Sequence, residues 1–237
     1  IRMRDGTTTR ADVYRPEKEG RYPVLLQRTP YDKTFTAFAY LGLRPLRAVD
    51  RGYAVVIQDV RGRWASEGEF DPLRNEMNDG YDTVKWCSSQ PWSSGKVGMY
   101  GASYVGAVQW LAAASGVPSL KAIAPFVTAA NYYNEWYYRN GALQLSFVEA
   151  WCFDSFAATE LLRRGRKKEA EKILEVADAL DELVFNYIPV KKLPYLKGSS
   201  DFFYDWISHP SQDAYWEKIN LERYHARIKI PALNIGG

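Results

Sequence analysis

Between Tyr22 and Phe126 short apolar runs alternate with segments of helical spacing, and that alternation leaves few folds open. The runs Tyr22 to Gln27, Tyr53 to Asp59, Lys96 to Tyr100 and Leu120 to Phe126 suit buried strands, with the polar, β-branched stretch Thr8 to Tyr14 ahead of them. Leu46 to Arg51 reads as the end of a helix closed by Gly52. Asn75 to Ser88 has helical spacing, with Met77, Tyr81, Val84 and Cys87 or Trp86 on one side, and Tyr104 to Ala114 is apolar nearly all round. Strands alternating with helices predict an α/β fold with a mostly parallel sheet covered on both faces.

After residue 130 the pattern changes, and no strand alternation is visible up to about Tyr224. Arg163 to Leu183 is charged and helical, with Ile173, Leu174, Val176, Ala177 and Leu180 as its apolar side, and Asp201 to Ile219 reads as a helix broken at His209-Pro210. The expected organisation is a core in 1–130, a helical insertion in 131–226, and a return to the core in 227–237 through the apolar run Ile230-Pro231-Ala232-Leu233-Asn234-Ile235. Both ends read as cuts through a fold, the second falling before the core is complete.

Composition excludes several classes. A formal net charge of +3 on 237 residues makes no case for nucleic acid or an anionic membrane as the main partner. No run of 18 apolar residues is present, so no segment reads as a membrane span. Cys87 and Cys152 lie far apart without metal-ligand spacing and are expected as free, buried thiols. Two histidines, His209 and His225, are too few for an ordinary zinc site, so no metal or cofactor is expected. The balance leans toward the cytoplasm, although a leader upstream would not be visible. Aromatics stand out at 15%, with 8 Trp and 17 Tyr, and fill either a large core or a ligand pocket.

The chemistry concentrates in Lys96-Val97-Gly98-Met99-Tyr100-Gly101-Ala102-Ser103-Tyr104-Val105-Gly106, where a strand meets a serine at a tight turn and an apolar helix follows. This is the context of a nucleophile elbow. The serine backbone is expected to be strained. Gly101 would leave room for the neighbouring strand, and Gly106 would let the helix approach closely. The hydroxyl would stand at the carboxyl edge of the sheet and at a helix N-terminus, which favours a developing oxyanion. The usual short pattern has glycine two residues after the serine, where this chain has Val105, so spacing alone also allows a helix N-cap serine. Arg28-Thr29-Pro30-Tyr31-Asp32-Lys33 and Gln58-Asp59-Val60-Arg61-Gly62-Arg63, with Ser66-Glu67-Gly68 just beyond, follow strands at the same edge. Asp59 and Arg61 are expected to form a structural ion pair.

These motifs, with the turn Gln90-Pro91-Trp92, resemble those of the X-Pro dipeptidyl-peptidase and cocaine-esterase family of α/β-hydrolases, which includes α-amino-acid ester hydrolases and cephalosporin acylases. The resemblance covers nearly the whole chain and is densest from Asp5 to Phe126. The family's elbow has Tyr after the serine and Gly three after it, as here. The resemblance implies an α/β-hydrolase fold with a helical cap and a small ester, amide or short-peptide substrate. It implies Ser103 as nucleophile, with the Tyr31 hydroxyl and the Tyr104 backbone N–H as the oxyanion hole. It also implies that the triad acid lies shortly after the strand entered at Ile230 and the histidine farther on, so that neither is in this chain and 1–237 alone is inactive. His209 and His225 do not match the family's histidine.

Within the enzyme class, Trp136, Tyr137, Trp151 and Phe153 are candidates for an acyl pocket, with core packing as the competing role. Glu135 and Glu149 could anchor a substrate amine, or sit on a solvated helix face. The alternative to a serine hydrolase is a hydrolase fold kept as a non-catalytic binding or scaffold module. Oligomerisation is open to either.

Overall fold

A computed structural model describes residues 1–39 and 42–236. The chain divides into two compact units, one formed by Ile1–Ala130 with the segment from Leu221 onward, the other by Asn131–Asn220. The turn Leu221–Arg227 therefore belongs with the first unit, six residues earlier than the sequence boundary.

The first unit is built on a five-stranded sheet of order β1-β3-β2-β4-β5. Its strands are β1 (Ala11–Tyr14), β2 (Tyr22–Thr29), β3 (Ala54–Asp59), β4 (Ser93–Ala102) and β5 (Leu120–Phe126). Only β1 runs antiparallel, at the edge, and the other four are parallel. Every residue of β3 is buried, as expected of a strand covered on both faces. The helices of this unit are α1 (Thr36–Ala39), α2 (Pro45–Asp50), α3 (Glu76–Ser89) and α4 (Tyr104–Ala114). All of α4 except Trp110 is buried, which matches a sequence apolar at every position but Gln109.

Two expectations for this unit change. Of the expected side of α3, Val84 and Cys87 are buried while Met77 and Tyr81 are only half-buried, and the buried face is completed by Glu76, Asp79, Gly80 and Thr83. The reason is charge pairing: Glu76 meets Arg28 and Asp79 meets Arg61, so two acids turn inward. The run after Ile228 is extended beside β5, and among the described residues Ala232 and Ile235 bridge to it, opposite Ile123 and Phe126, both parallel. Ile123 donates its N–H to the Pro231 carbonyl and accepts from Leu233 N–H, and the gap comes at Pro125, which accepts from Ile235 N–H but has no N–H of its own to donate.

The second unit is helical. It contains α5 (Leu145–Trp151), α6 (Ala158–Arg163), α7 (Lys167–Ala177), α8 (Leu180–Leu183), α9 (Phe202–Ser208) and α10 (Ala214–Glu217), with π-helical turns at Tyr133–Tyr137 and Cys152–Ala157. One small hairpin, β6 (Tyr138–Arg139) with β7 (Ala142–Leu143), interrupts the stretch read as free of strands. The helix expected over Arg163 to Leu183 is broken. Gly165, at φ +73°, ends α6, and Arg166 N–H bonds back to the Leu161 carbonyl, the arrangement of a Schellman stop. The break at His209-Pro210 separates α9 from α10 as the sequence suggests. Cys87 and Cys152 are free and buried, and burial raises both thiol pKa values.

Candidate active site

The junction of β4 and α4 carries Ser103, half-buried, at φ 58° and ψ −126°. A non-glycine residue there is strained and persists only when its surroundings over-determine it. They do. Ser103 donates its N–H to the Phe126 carbonyl at 2.9 Å, and its own carbonyl accepts from Gly106 and Ala107. Gly101, at φ +130°, has space only for hydrogen: a Cβ would lie 2.4 Å from Cγ1 of Val105. The demand therefore comes chiefly from within the elbow, not from the neighbouring strand. A Cβ on Gly106 would meet Thr128 Cβ at 3.0 Å and the Phe126 carbonyl oxygen at 3.2 Å, so this glycine does let α4 lie close to the end of β5.

Gln109, which the sequence reading passed over, ties the elbow together. It is wholly buried on α4. Its Nε2 donates to the carbonyls of Gly101 and Val105, both at 3.0 Å, and its Oε1 accepts from Ala124 N–H at 3.0 Å. One side chain thus spans β4, α4 and β5. A lone polar residue in an apolar helix was the available signal.

Strand β2 delivers Tyr31 to the same edge. The β2–β4 register pairs Leu26 with Met99, so both chains leave the sheet at one level, Tyr31 on one side and Ser103 with Tyr104 on the other. Tyr31 is half-buried, and its N–H donates to Thr29 Oγ1. The loop around it is clamped by the motif after β3. Arg63 Nε and Trp64 Nε1 each donate to the Pro30 carbonyl at 3.0 Å, and Val60 N–H donates to the Thr29 carbonyl. Asp59 accepts from Lys33 N–H at 2.7 Å, with Lys33 Nζ 3.8 Å from its other oxygen. Burial pushes the Asp59 carboxyl up to about 6, against the lowering influence of Lys33.

The expected Asp59–Arg61 pair does not form. Arg61 instead grips Asp79 with two bonds, at 2.8 and 2.7 Å, and reaches Asp5 at 2.7 Å. Separate partners follow from geometry, since Asp59 ends the strand under the Tyr31 loop while Arg61 lies beyond it and reaches α3.

Tyr104 is fully buried, and its hydroxyl donates to Glu76 Oε1 at 2.7 Å and accepts from Leu73 N–H at 3.0 Å. Glu76 Oε2 lies 2.7 Å from Arg28 Nη1. Burial raises the Glu76 pKa, opposed first by the Arg28 charge.

Among the described residues neither histidine hydrogen-bonds to Ser103. His209 pairs with Asp213 through Nδ1 at 2.7 Å and stacks on Tyr215 at 4.3 Å, inside the second unit. His225 is exposed on the turn Leu221–Arg227 and lines a cavity of about 320 Å³ with Trp110, Thr128 and Ile235. No group of three or more metal-ligating side chains is found among the described residues.

Of the acyl-pocket candidates, Trp136, Tyr137 and Trp151 come together in the second unit, with Trp151 6.0 Å from Trp136 and 6.4 Å from Tyr137. Tyr137 is wholly buried and Phe153 nearly so, the latter packed on Tyr195, while Trp136 and Trp151 are half-buried. Glu135 is exposed and accepts from Asn131 N–H, a local turn contact. Glu149 is buried, with no hydrogen-bond partner to either oxygen among the described residues.

Residues 5–237 match the model of the X-Pro dipeptidyl-peptidase (S15) family. The cocaine esterase of Rhodococcus sp. is 39% identical over 246 residues, which cover 100% of this chain and 42% of that protein. A putative Xaa-Pro dipeptidyl-peptidase of Bacillus anthracis is 27% identical, over 78% of this chain and 37% of its own length. The chain thus spans less than half the length of either relative. Among solved structures, a CocE/NonD family hydrolase from Staphylococcus aureus superposes with a TM-score of 0.71 at 24% identity, covering 98% of this chain and 38% of its own. An α-amino acid ester hydrolase does so at 0.68 and 24%, over 99% and 41%. At that identity these two likenesses speak for the fold alone.

Proposed function

The chain belongs to the X-Pro dipeptidyl-peptidase (S15) family of hydrolases, and from that premise we propose that Ser103 is the nucleophile of a serine hydrolase cleaving an ester or amide acyl bond. The observation that carries this is the backbone of Ser103, held at φ 58° by a glycine two residues before it and another three residues after. A helix N-cap needs no such strain, because N-cap residues ordinarily sit in the extended region.

Ser103 Oγ forms a bond to the acyl carbon and gives its proton to a base. The carbonyl oxygen becomes an oxyanion, stabilised by the Tyr104 N–H and the Tyr31 hydroxyl, with the positive end of α4 behind it. The bond to the leaving alcohol or amine then breaks, and the leaving group takes the proton. Water repeats the sequence on the acyl-enzyme and frees the acid. The base and the carboxylate that orients it are assigned to sequence outside 1–237. This is supported by the local engagement of His209 with Asp213 and by the exposed position of His225. The substrate is a small ester, an amide or a short peptide, as the relatives' names suggest for their own activities.

The test is Ser103→Ala in the full-length protein, assayed with an activated aryl ester, an aminoacyl-prolyl amide and a fluorophosphonate label. Turnover and labelling are expected to be lost with the fold intact. Retained turnover or labelling removes Ser103 from the chemistry. A wild-type protein inert to all three probes favours a non-catalytic relative.

A further inference from the structure

We propose that Glu76 is a positioning residue for the nucleophile elbow, holding Tyr104 by its hydroxyl and, through Arg28, the strand that leads to Tyr31. The inference rests on the reading of Ser103 as a nucleophile, and it concerns what keeps the two oxyanion donors in place.

The arrangement lies inside the first unit. Glu76 is 3% exposed on α3, and its two carboxylate oxygens serve different elements. Oε1 accepts from the Tyr104 hydroxyl at 2.7 Å, and Oε2 lies 2.7 Å from Arg28 Nη1. The Tyr104 hydroxyl accepts in turn from the N–H of Leu73, a buried residue held at φ +70°. On the other side, Arg28 Nε donates to Gln58 Oε1 at 2.6 Å, and Gln58 Nε2 donates to Thr9 and Thr83 at 2.7 and 3.0 Å. Arg28 lies three residues before Tyr31 in the chain. One carboxylate is thereby joined to the side chain behind one donor and to the strand behind the other.

Stability alone does not call for this arrangement. A buried ion pair is often no better than well-packed apolar residues, because both charges lose their hydration. What charged, hydrogen-bonded contacts add is direction. The peptide N–H of Tyr104 points wherever ψ of Ser103 and φ of Tyr104 send it, and Ser103 occupies a strained region from which relaxation would rotate that peptide. The Tyr104 ring, pinned at its far end by a charged acceptor and a backbone donor, resists that rotation. Misplacement of a donor by about 1 Å costs rate on the order of a hundredfold without touching substrate affinity in the ground state.

The experiment compares Tyr104→Phe, Glu76→Gln and Ser103→Ala in the full-length protein with an activated aryl ester. It reads kcat, KM, the rate of fluorophosphonate labelling and the melting temperature. For Tyr104→Phe, kcat and the labelling rate are expected to fall about 10- to 100-fold with KM within about twofold of wild type. For Glu76→Gln, which keeps an acceptor oxygen but loses its charge, the expected fall is about 3- to 10-fold, again at steady KM. A purely structural role predicts a lower melting temperature with kcat unchanged below it, and that result overturns the proposal. So does a rise in KM at constant kcat. If Tyr104→Phe does not fold, Glu76→Gln decides by the same criteria. Loss of the underlying reading looks different: Ser103→Ala would then stay active. An inactive Ser103→Ala beside a wild-type Tyr104→Phe discards the positioning role alone.

Discussion

Both units bury glutamates on helices, and while Glu160 in the second is answered by its helix neighbours Arg163 and Arg164, Glu76 and Glu149 are treated in opposite ways. Glu76, in the first unit, is met by Arg28, by the Tyr104 hydroxyl and by a network that continues to Gln58, Thr9 and Thr83. Glu149, in the second, is fully buried with both oxygens unbonded among the described residues. The surroundings differ in the same sense. The first unit is organised by strand ladders and directional polar contacts, which hold Ser103 and Leu73 in strained backbone conformations. The second is organised by rings: Trp206 lies 4.5 Å from Tyr137, 4.9 Å from Phe202 and 6.0 Å from Trp151, and Trp216 lies 4.8 Å from Tyr137. Directional contacts fix angles, which a reacting centre requires. Ring packing fills volume and tolerates angular slack.

If that contrast is right, removing a ring should be the costliest single change in the second unit. Trp206 is 1% exposed, and Trp206→Ala is expected to cost about 3–5 kcal/mol in chemical denaturation, the ordinary range for such a truncation in a core. A loss below about 1 kcal/mol would mean that the rings are not what holds this unit. The counterpart in the first unit is a change of direction without change of volume. Tyr31→Phe removes one hydroxyl, and if that hydroxyl faces the oxyanion, kcat is expected to fall on the order of 10²–10³ with stability nearly unchanged. Full turnover in Tyr31→Phe assigns the residue to packing and weakens the claim that this edge is built for angular precision.

The contrast also explains what could be read from the sequence. Helix α4 and strand β5 were legible to the residue: near-complete burial leaves α4 apolar but for Gln109, and β5 is a short apolar run broken only by the exposed Lys121. The elbow was legible because strain at Ser103 demands glycine at 101 and 106. The buried face of α3 was legible only at Val84 and Cys87. Apolar periodicity selects Met77 and Tyr81, whereas Glu76 turns inward to meet Arg28, 48 residues away, a partner that no local pattern announces. Arg61 and Asp59 failed for the same reason, each being satisfied by a residue remote in sequence or across a loop. In the second unit the helix boundary at Gly165 was hidden by continuous charged spacing on either side. The hairpin at Tyr138–Leu143 was too short to show alternation.

The smallest expected effect comes from Glu149 itself. Burial pushes its carboxyl up from 4.5 to about 7, with no compensating partner among the described residues, and its proximity helps raise the already buried Cys152 thiol. A raised folded-state value means that the native form holds the proton over a range where the unfolded chain has released it. The stability this contributes is fully present below about pH 4.5 and is lost as pH rises through about 7. A shift of that size corresponds to roughly 3 kcal/mol between the two limits. Asp59, raised to about 6, adds a loss of the same sign at lower pH, so the wild type cannot isolate either group. Glu149→Gln can, because an amide does not ionise. Its denaturation free energy is expected to fall less between pH 5 and pH 8 than that of the wild type, by about 2 kcal/mol. The remaining decline should sit below pH 7, where Asp59 titrates. An unaltered pH slope would show that Glu149 finds a partner in solution, and the opposition between the two glutamates would disappear.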